Sequence, residues 1–326
     1  MHEIEEFDDG TVAFFVSRTP AWHLLGEVTL TELHLKEGME KSQTGSPVEK
    51  FPIFAALPDG GRLEVKGRYA TVRNHPKLGL SVLGDVGSRY VVIQDYDAFQ
   101  FGDNLVDDGG AHWESMGSLR GGSTVFASML LPQTMKHDLG DNVTPRLLLT
   151  NTHDGSGSMK ACIVLERTVC MNTLRMNLAG AKHTWRIRHT ANATDRLAEA
   201  RKALGLSFQY VAAFEQEMEK MLAAPYSRSQ YEKLVTQLIP EPVVVSNAET
   251  KAHLEKERGV LLGLWDSGTQ ANIAGTQWAA YNAVVEYADW MSPIRAKDHA
   301  QRRAEAQILG TNDQLKERAH SLIVAE

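Results

Sequence analysis

The residues that could carry acid/base chemistry lie in a short polar loop between two apolar segments. The loop spans residues 151–158 and reads NTHDGSGS. His153 and Asp154 could act as an acid/base pair if a turn brings them together, because adjacent strand residues point to opposite faces. Backbone N–H groups beside Gly155 and Ser156 could instead bind a phosphate, as anion-binding nests do. A tight turn built from Asn, Asp, Gly and Ser is the third interpretation.

The densest positive charge of the chain follows directly. Residues 155–190 hold six lysines and arginines and one glutamate, a local charge of +5 in a chain of −7, so the remainder carries −12. Such a concentration is typical of a phosphate-binding surface. Grooves for single-stranded nucleic acid add aromatic side chains that stack on the bases. A solvated face that pairs with the acidic remainder is the alternative. The candidate nucleic-acid-binding residues are Arg120, Lys160, Arg167, Arg175, Lys182, Trp185, Arg186 and Arg188.

The two cysteines raise the question of a metal. Cys162, Cys170, His183 and His189 read as Cys-x7-Cys-x12-His-x5-His. A zinc knuckle needs its cysteines closer together, so the spacing favours buried apolar cysteines over a zinc site or a catalytic thiol. We therefore expect no metal and no cofactor.

The loop and the basic run belong to a region that predicts an antiparallel sheet. The segments 51–57 and 62–72 are joined by Pro-Asp-Gly-Gly, which is hairpin chemistry. A second hairpin has a glycine-rich basic tip at residues 117–122, which contains Arg120. Further strands are predicted at 78–83, 90–93, 112–116, 123–131, 146–150, 160–165 and 185–189. Helices are predicted from Asp95 as N-cap to Val106, and from Val169 to Leu178.

From Thr194 onward the apolar spacing becomes helical. Helices are predicted at 194–222 with a break at Gly205, and at 231–239, 250–264 and 276–290, with a pair at 295–323 broken near Gly310. The predicted fold class is α+β: a mainly antiparallel N-terminal sheet with helices on one face, followed by a helical C-terminal region. The predicted domains are an arm at 1–50, an α+β core domain at 51–192 and a helical region at 193–326.

Composition excludes several classes of protein. Two cysteines in 326 residues are too few for a disulfide framework. No apolar run reaches the roughly 18 residues that span a membrane. The first ten residues, MHEIEEFDDG, are acidic, unlike a secretory leader. We expect a soluble cytoplasmic protein without a membrane partner.

Several short motifs together resemble a family of phage/plasmid-like proteins catalogued as a domain of unknown function. They are Trp22-His23-x-x-Gly26, Asn151-x-His153-Asp154-Gly155-Ser156, Arg167-x-Val169-Cys170-x-Asn172-Thr173, Ile187-Arg188-His189-Thr190 and Asn282-Ala283-Val284-x-Glu286-Tyr287. The resemblance covers most of the chain and implies a phage, prophage or plasmid gene product in a bacterial host. It implies no activity.

A weaker resemblance, in layout and charge placement, is to single-strand annealing proteins of the RecT, Red-beta and Erf kind. It implies an ATP-independent homo-oligomer that holds single-stranded DNA in a basic groove. The leading hypothesis is therefore a phage-type recombination protein that binds single-stranded DNA and promotes strand annealing, more a binding protein than an enzyme. The alternatives are a metal-assisted hydrolase or nuclease that uses His153 and Asp154, and a module that binds a host protein.

Overall fold

The computed structural model of the chain describes most of its residues. These are residues 14–17, 27–29, 33–77, 79–103, 111–132, 135, 142–167, 172–176, 178, 183–192, 200–241, 248–297 and 299–325. They belong to two compact units that are not consecutive in sequence. Unit 1 consists of residues 1–132, 146–162 and 184–205, and unit 2 consists of residues 133–145, 163–183 and 206–326.

The strands form a larger and a smaller sheet. The larger sheet has the order β10-β9-β8-β7-β6-β1-β2, with β11 also paired to β9. The pairings β1–β6, β6–β7, β7–β8, β9–β10 and β9–β11 are antiparallel, and β1 pairs with β2 in parallel. The smaller sheet is the antiparallel meander β3-β4-β5. The strands are β1 (Phe14–Ser17), β2 (Glu27–Thr29), β3 (Val48–Ala56), β4 (Arg62–His75), β5 (Gly79–Gly87), β6 (His112–Leu119), β7 (Thr124–Leu130), β8 (Val143–Thr152), β9 (Met159–Arg167), β10 (Asn172–Leu174) and β11 (Thr184–Ile187).

Helices are short in the first part of the chain and long in the second. The α-helices are α1 (Leu35–Lys41), α2 (Asp95–Phe99), α3 (Ala200–Ala223), α4 (Arg228–Leu238), α5 (Ala248–Leu264), α6 (Gln277–Glu286), α7 (His299–Leu309) and α8 (Asp313–Val324). Short 3-10 segments occupy Gln100–Gly102 and Gly268–Ile273, and a π-helical turn at Tyr287–Met291 extends α6. The predicted α+β fold class is confirmed. None of the helices in these described ranges is both long enough and apolar enough to cross a membrane.

Helix α6 lies at the centre of unit 2. Its residues from 278 to 286 are buried on every side. The hydroxyl of Thr276 caps its first turn by accepting a hydrogen bond from the Ala279 amide at 3.1 Å. The rings of Phe214 and Trp278 meet edge to face at 6.0 Å, and the Tyr281 hydroxyl donates to the Arg175 carbonyl at 3.0 Å. The core of unit 2 is therefore built around this helix.

Both predicted hairpins and the break at Gly310 are confirmed. Strands β3 and β4 flank residues 57–61, and β6 and β7 flank residues 120–123. At the second turn Arg120, Gly121 and Gly122 all have positive φ angles, of 56°, 64° and 79°. Gly310 separates α7 from α8 with a φ of 73°, a conformation that glycine adopts without strain.

Two predicted elements are wrong. The predicted strand 90–93 is irregular, because its backbone groups bind elsewhere. The Val91 amide donates a hydrogen bond to the His189 carbonyl, and the Asn151 side chain donates one to the Ile93 carbonyl. Instead of the predicted helix 169–178, residues 172–174 form β10, an edge strand on β9. Here pairing to a neighbouring strand outweighs local helical spacing.

Two predicted helix boundaries are also wrong. Helix α2 has Gln94 at its N-cap, and Asp95 is its first residue, with a buried carboxylate. Helix α3 runs through Gly205 without a break. An interior glycine costs a helix only about 1 kcal/mol, which the rest of a 24-residue helix can offset. Thr194, at which the sequence pattern predicts the start of this helix, lies outside the described residues.

Candidate functional site

A buried polar cluster ties the smaller sheet of unit 1 to the 151–158 loop. We call it the Asp95 cluster: Arg73, Asp95, Asn151, His153 and His189, all buried. The Arg73 guanidinium reaches one carboxylate oxygen of Asp95 at 2.7 Å, and His153 Nε2 reaches the other at 2.8 Å. The amide of Asn151 donates to that second oxygen and to the Ile93 carbonyl, each at 2.9 Å. A helix start, a β4 side chain and the loop therefore meet at one carboxylate.

The environment of Asp95 keeps it ionised. Burial by itself would raise the pKa of the carboxyl, but the charges of His153 and Arg73, together with hydrogen bonds from His153 and Asn151, lower it to about 2. A buried carboxylate is tolerated only when it is paired in this way. Asp95 is therefore ionised at neutral pH and can hold its cationic and amide partners in place.

His189 connects the cluster to the segment just before α2. Its ring stacks on the ring of Tyr90 at 4.7 Å and meets the edge of His153 at 5.9 Å. Its Nδ1 lies 3.2 Å from the Val91 carbonyl, and its own carbonyl accepts a hydrogen bond from the Val91 amide at 3.1 Å. Burial, aided by the charge of His153, lowers the pKa of His189 to about 4. The imidazole is therefore neutral at neutral pH, so its Nδ1–H can donate to Val91.

The same contacts place two exposed arginines on neighbouring segments. Arg89 and Arg188 each lie within two residues of the bond between Val91 and His189, and both are exposed. The ammonium of Lys50 holds the Arg89 segment by donating to the carbonyls of Ser88 and Tyr90, at 3.0 and 2.8 Å. Sequence reasoning missed Arg89, because it lies 99 residues before Arg188 and well outside the basic run.

Two further cations continue this surface along the edge of the larger sheet. Arg186 of β11 stands directly opposite Lys160 of β9 in the strand register. Arg186 and Arg188 are exposed and alternate with the buried Ile187 and His189, so they project from the same side of their segment. We call Arg89, Lys160, Arg186 and Arg188 the basic ridge. Arg120, at the turn between β6 and β7, is also exposed in unit 1.

The remaining candidates for nucleic-acid binding do not join the ridge. Arg167 and Arg175 are fully buried in unit 2. Arg167 donates to the side-chain oxygens of Gln270 and Asn272, at 3.3 and 3.4 Å. Arg175 pairs with Asp313 at 2.6 Å and donates to a helix carbonyl at 2.7 Å. Their guanidinium groups therefore form hydrogen bonds and ion pairs inside unit 2. Lys182 lies outside the described residues.

Trp185 lies on the other face of β11 from Arg186, because adjacent strand residues point in opposite directions. It is half-buried and shares the face of the buried Ile187. The predicted stacking of bases on Trp185 beside Arg186 and Arg188 therefore finds no support in this geometry.

The 151–158 loop adopts the tight turn that was one of its three interpretations. His153 Nε2 pairs with Asp95, whereas Asp154 Oδ1 accepts the amide of Ser156 at 2.8 Å, so the two candidate acid/base side chains have separate partners. Gly155 has a φ of 81°, and the loop packs closely on β5 at Gly84. The Thr71 hydroxyl fixes the loop from β4 by donating to the His153 carbonyl at 2.7 Å.

The predicted buried cysteine is confirmed at Cys162. Its side chain is buried, and the sulfur accepts a hydrogen bond from the Thr184 hydroxyl at 3.3 Å. Cys170 lies outside the described residues. His183 is half-buried beside the ring of Tyr210, and within the described ranges no three metal-ligating side chains form a group.

Unit 2 holds a second buried polar cluster. We call Thr173, Asp289 and Lys316 the Asp289 cluster. The ammonium of Lys316 forms an ion pair with Asp289 at 2.6 Å and donates to the Thr173 carbonyl and hydroxyl, each at 2.8 Å. The other Asp289 oxygen accepts the Thr173 amide and hydroxyl at 2.8 and 2.9 Å. Burial lowers the pKa of Lys316, and the charge of Asp289 opposes that shift.

The short motifs of the sequence divide between the two units. Asn151, His153 and His189 belong to the Asp95 cluster, and Thr173 belongs to the Asp289 cluster. Asn172 in unit 2 donates to the Asn282 carbonyl at 3.3 Å. Glu286 accepts from Thr269 and Gln270, at 2.7 and 2.9 Å. Most of the described motif residues are thus buried and hydrogen-bonded, whereas Arg188 is exposed.

Among the comparisons with known proteins, the one with protein-family models gives a match. Neither the curated proteins nor the solved structures contain a significant match to this chain. A family model described as a domain of unknown function, DUF932, matches residues 82–308, more than half of the chain. That span includes Asp95, the 151–158 loop and His189, and it includes Thr173 and Asp289 but not Lys316 of the Asp289 cluster. The chain therefore belongs to this family of unknown function, DUF932.

Proposed function

We propose that the protein binds single-stranded DNA through the basic ridge of unit 1 and promotes annealing of complementary strands, as a phage-type recombination protein would. The observation that carries the proposal is the backbone hydrogen bond from the Val91 amide to the His189 carbonyl. It brings exposed Arg89 and Arg188 onto neighbouring segments in a chain whose net charge is −7. Positive charge gathered on an acidic protein is the arrangement expected for contact with phosphates.

The contact set differs from the one that the sequence suggests. Arg89 joins Lys160, Arg186 and Arg188 on the ridge, and Arg120 remains a candidate contact in the same unit. Arg167 and Arg175 leave the set because they are buried and paired within unit 2.

The choice of a single strand over a duplex rests on charge. A duplex carries one negative charge per about 1.7 Å of its axis, and a single strand has a lower charge density. A protein of net charge −7 with a small basic surface is repelled less by the single strand. The absence of a nucleotide requirement is part of the proposal, since annealing is driven by base pairing.

Fluorescence anisotropy of a labelled oligonucleotide of about 40 nucleotides, as single strand and as duplex, tests the proposal. We expect tighter binding of the single strand. The variant R89A/R188A should bind at least about 10-fold more weakly, because two phosphate contacts are lost. The matched control K233A/K251A removes the same charge from exposed helical positions of unit 2. Equal losses in both variants would mean that net charge alone matters, which would contradict a defined site.

Annealing is measured separately, with two complementary strands that carry a fluorophore and a quencher. The wild-type protein should accelerate quenching without added nucleotide, and R89A/R188A should lose that acceleration. If the protein binds the single strand tightly but does not accelerate quenching, it binds single-stranded DNA without annealing it, and the annealing part of the proposal is wrong.

A further inference from the structure

Exposed apolar side chains concentrate on the smaller sheet. Seven of the twelve large hydrophobic residues that are exposed among the described residues lie between positions 51 and 82. Leu80 and Val82 on β5 are the most exposed of all, at 76% and 72%. The others are Phe51, Phe54, Leu57, Leu63 and Val65. Scattered exposed hydrophobics need no explanation, but a concentration of this kind marks an interaction surface.

The two faces of this sheet are very different. Strand β4 directs Thr71 and Arg73 inward to the 151–158 loop and the Asp95 cluster, and both are buried. On the opposite face, Val72 of β4 stands beside Val82, and Asn74 stands beside Leu80. Leu80 and Val82 therefore lie together on the outer face of the sheet, away from the core of unit 1.

The hairpin that continues β3 and β4 projects beyond that core. The register shifts between Pro52 and Phe54, and Gly67 on the facing strand has a φ of 75°. Beyond this bend, residues 54–60 and 62–68 are exposed, so neither face of the hairpin is covered by the described residues. A two-stranded hairpin alone in water is marginally stable at best, so a covered hairpin would be more stable.

The exposed parts of the patch carry little net charge on an acidic protein. In residues 51–66, Arg62 and Lys66 balance Asp59 and Glu64, and residues 79–84 of β5 carry no charge. Arg68 pairs with Asp85, and the whole chain carries −7. Two copies of an acidic chain repel each other, and a neutral apolar patch is where that repulsion is smallest. A basic or acidic partner would find little charge here to recognise.

The two edges of the sheet are protected unequally. Edge strand β3 has Glu49, Lys50, Pro52 and a register shift, all of which discourage pairing with another strand. Edge strand β5 carries neither charge nor proline from Gly79 to Gly84, and among the described residues it pairs only with β4. An unprotected edge can pair antiparallel with its own copy about a twofold axis, because such an interface is self-complementary.

We propose that a second copy of this chain docks on the outer face and β5 edge of the smaller sheet, in a twofold interface centred on Leu80 and Val82. The interface pairs β5 with β5 of the partner and covers the apolar residues of both copies. It does not depend on the proposed nucleic-acid binding, which uses other side chains.

Sedimentation velocity of the full chain over a range of concentrations tests the proposal. We expect the wild type to form a dimer, and L80E/V82E to self-associate at least about 100-fold more weakly, because like charges would face each other across the twofold axis. The control V260E/V324E introduces the same charges at exposed apolar positions of helices α5 and α8 and should remain dimeric. A monomeric wild type, or a dimer that L80E/V82E leaves intact, would overturn the proposal.

If L80E/V82E does not fold, a cysteine at the same position decides the question. V82C in a C162S/C170S background should form disulfide-linked dimers under mild oxidation, and V260C in that background should not. Absence of cross-linked V82C dimers would overturn the twofold interface. If the wild type is monomeric and L80E/V82E no longer binds the single strand, the outer face of the smaller sheet binds nucleic acid. That result would overturn self-association.

Discussion

The Asp95 cluster and the Asp289 cluster each stabilise a buried carboxylate, but they do so with different partners. Each buries one carboxylate with a cation at 2.6–2.7 Å and uses its oxygens to tie segments that are distant in sequence. The cation is the guanidinium of Arg73 in unit 1 and the ammonium of Lys316 in unit 2. Besides its ion pair with Asp289, Lys316 donates to the carbonyl and the hydroxyl of Thr173.

The difference lies in what surrounds each carboxylate. Asp95 also pairs with His153, whose ring meets His189, and the segments next to His189 carry exposed Arg89 and Arg188. Asp289 and Lys316 are buried against Thr173, which comes from the edge strand β10. We infer that the Asp289 cluster stabilises unit 2, whereas the Asp95 cluster also positions a surface. Burial and hydrogen bonding alone do not distinguish these roles, but proximity to exposed cations does.

Removing either carboxylate should have the largest effect. Asp95→Ala leaves Arg73 buried without its partner, and Asp289→Ala does the same to Lys316, so each should lower the free energy of unfolding by about 3–5 kcal/mol. Chemical denaturation measures this loss. Fluorescence anisotropy then compares the affinities of the two variants for single-stranded DNA, at a temperature where both are folded. Asp95→Ala should weaken single-strand binding, whereas Asp289→Ala should not. Equal effects on binding would remove the distinction between the clusters.

Acidic pH should act on unit 1 through His189. Its pKa is about 4 in the folded protein against an ordinary 6.5, so between these values the unfolded chain binds more protons. Stability should therefore fall as pH drops from 6.5 to 4, by roughly 3 kcal/mol from this residue. His189→Asn keeps a donor for the Val91 carbonyl but cannot titrate. Unfolding free energies measured across this window should depend less on pH in His189→Asn, whereas exposed His253→Asn should behave as wild type. An unchanged pH dependence in His189→Asn would contradict the assignment.

A methyl group at Gly84 should produce a smaller loss. Its Cβ would lie within 2.8 Å of the Asp154 carbonyl oxygen and still closer to its Cα, so either the 151–158 loop or β5 must move. Overpacking of this kind costs about 1–3 kcal/mol. Gly87→Ala in the same strand meets nothing within 4 Å and is the control. Thermal denaturation of both variants checks the difference, and equal melting temperatures would show that the loop does not need its close contact with β5.

Local pattern predicted much of the fold. The hairpin chemistry of Pro58-Asp59-Gly60-Gly61 and the break at Gly310 are short-range signals, and both are found in the structure. The errors at 90–93 and 172–174 arise where a partner from elsewhere in the chain decides the conformation.

The partners of the site residues could not be predicted in the same way. The sequence singles out His153 and His189, but the carboxylate that pairs with His153 is 58 residues away. Lys316 lies 143 residues from Thr173. Nothing in one sequence marks Arg73 or Lys316 as buried, since lysine and arginine are ordinarily exposed. The basic run was informative, but only the fold separates its buried arginines from the exposed ones.

The dependence of single-strand affinity on salt tests the central claim most directly. Each phosphate neutralised on a single strand contributes a slope of about −0.7 to the logarithm of affinity against the logarithm of salt concentration. If Arg89 and Arg188 each contact a phosphate, R89A/R188A should reduce the magnitude of the slope by about 1.4 relative to wild type, and K233A/K251A should leave it unchanged. A slope that is the same in all three proteins would mean that the basic ridge does not hold the strand.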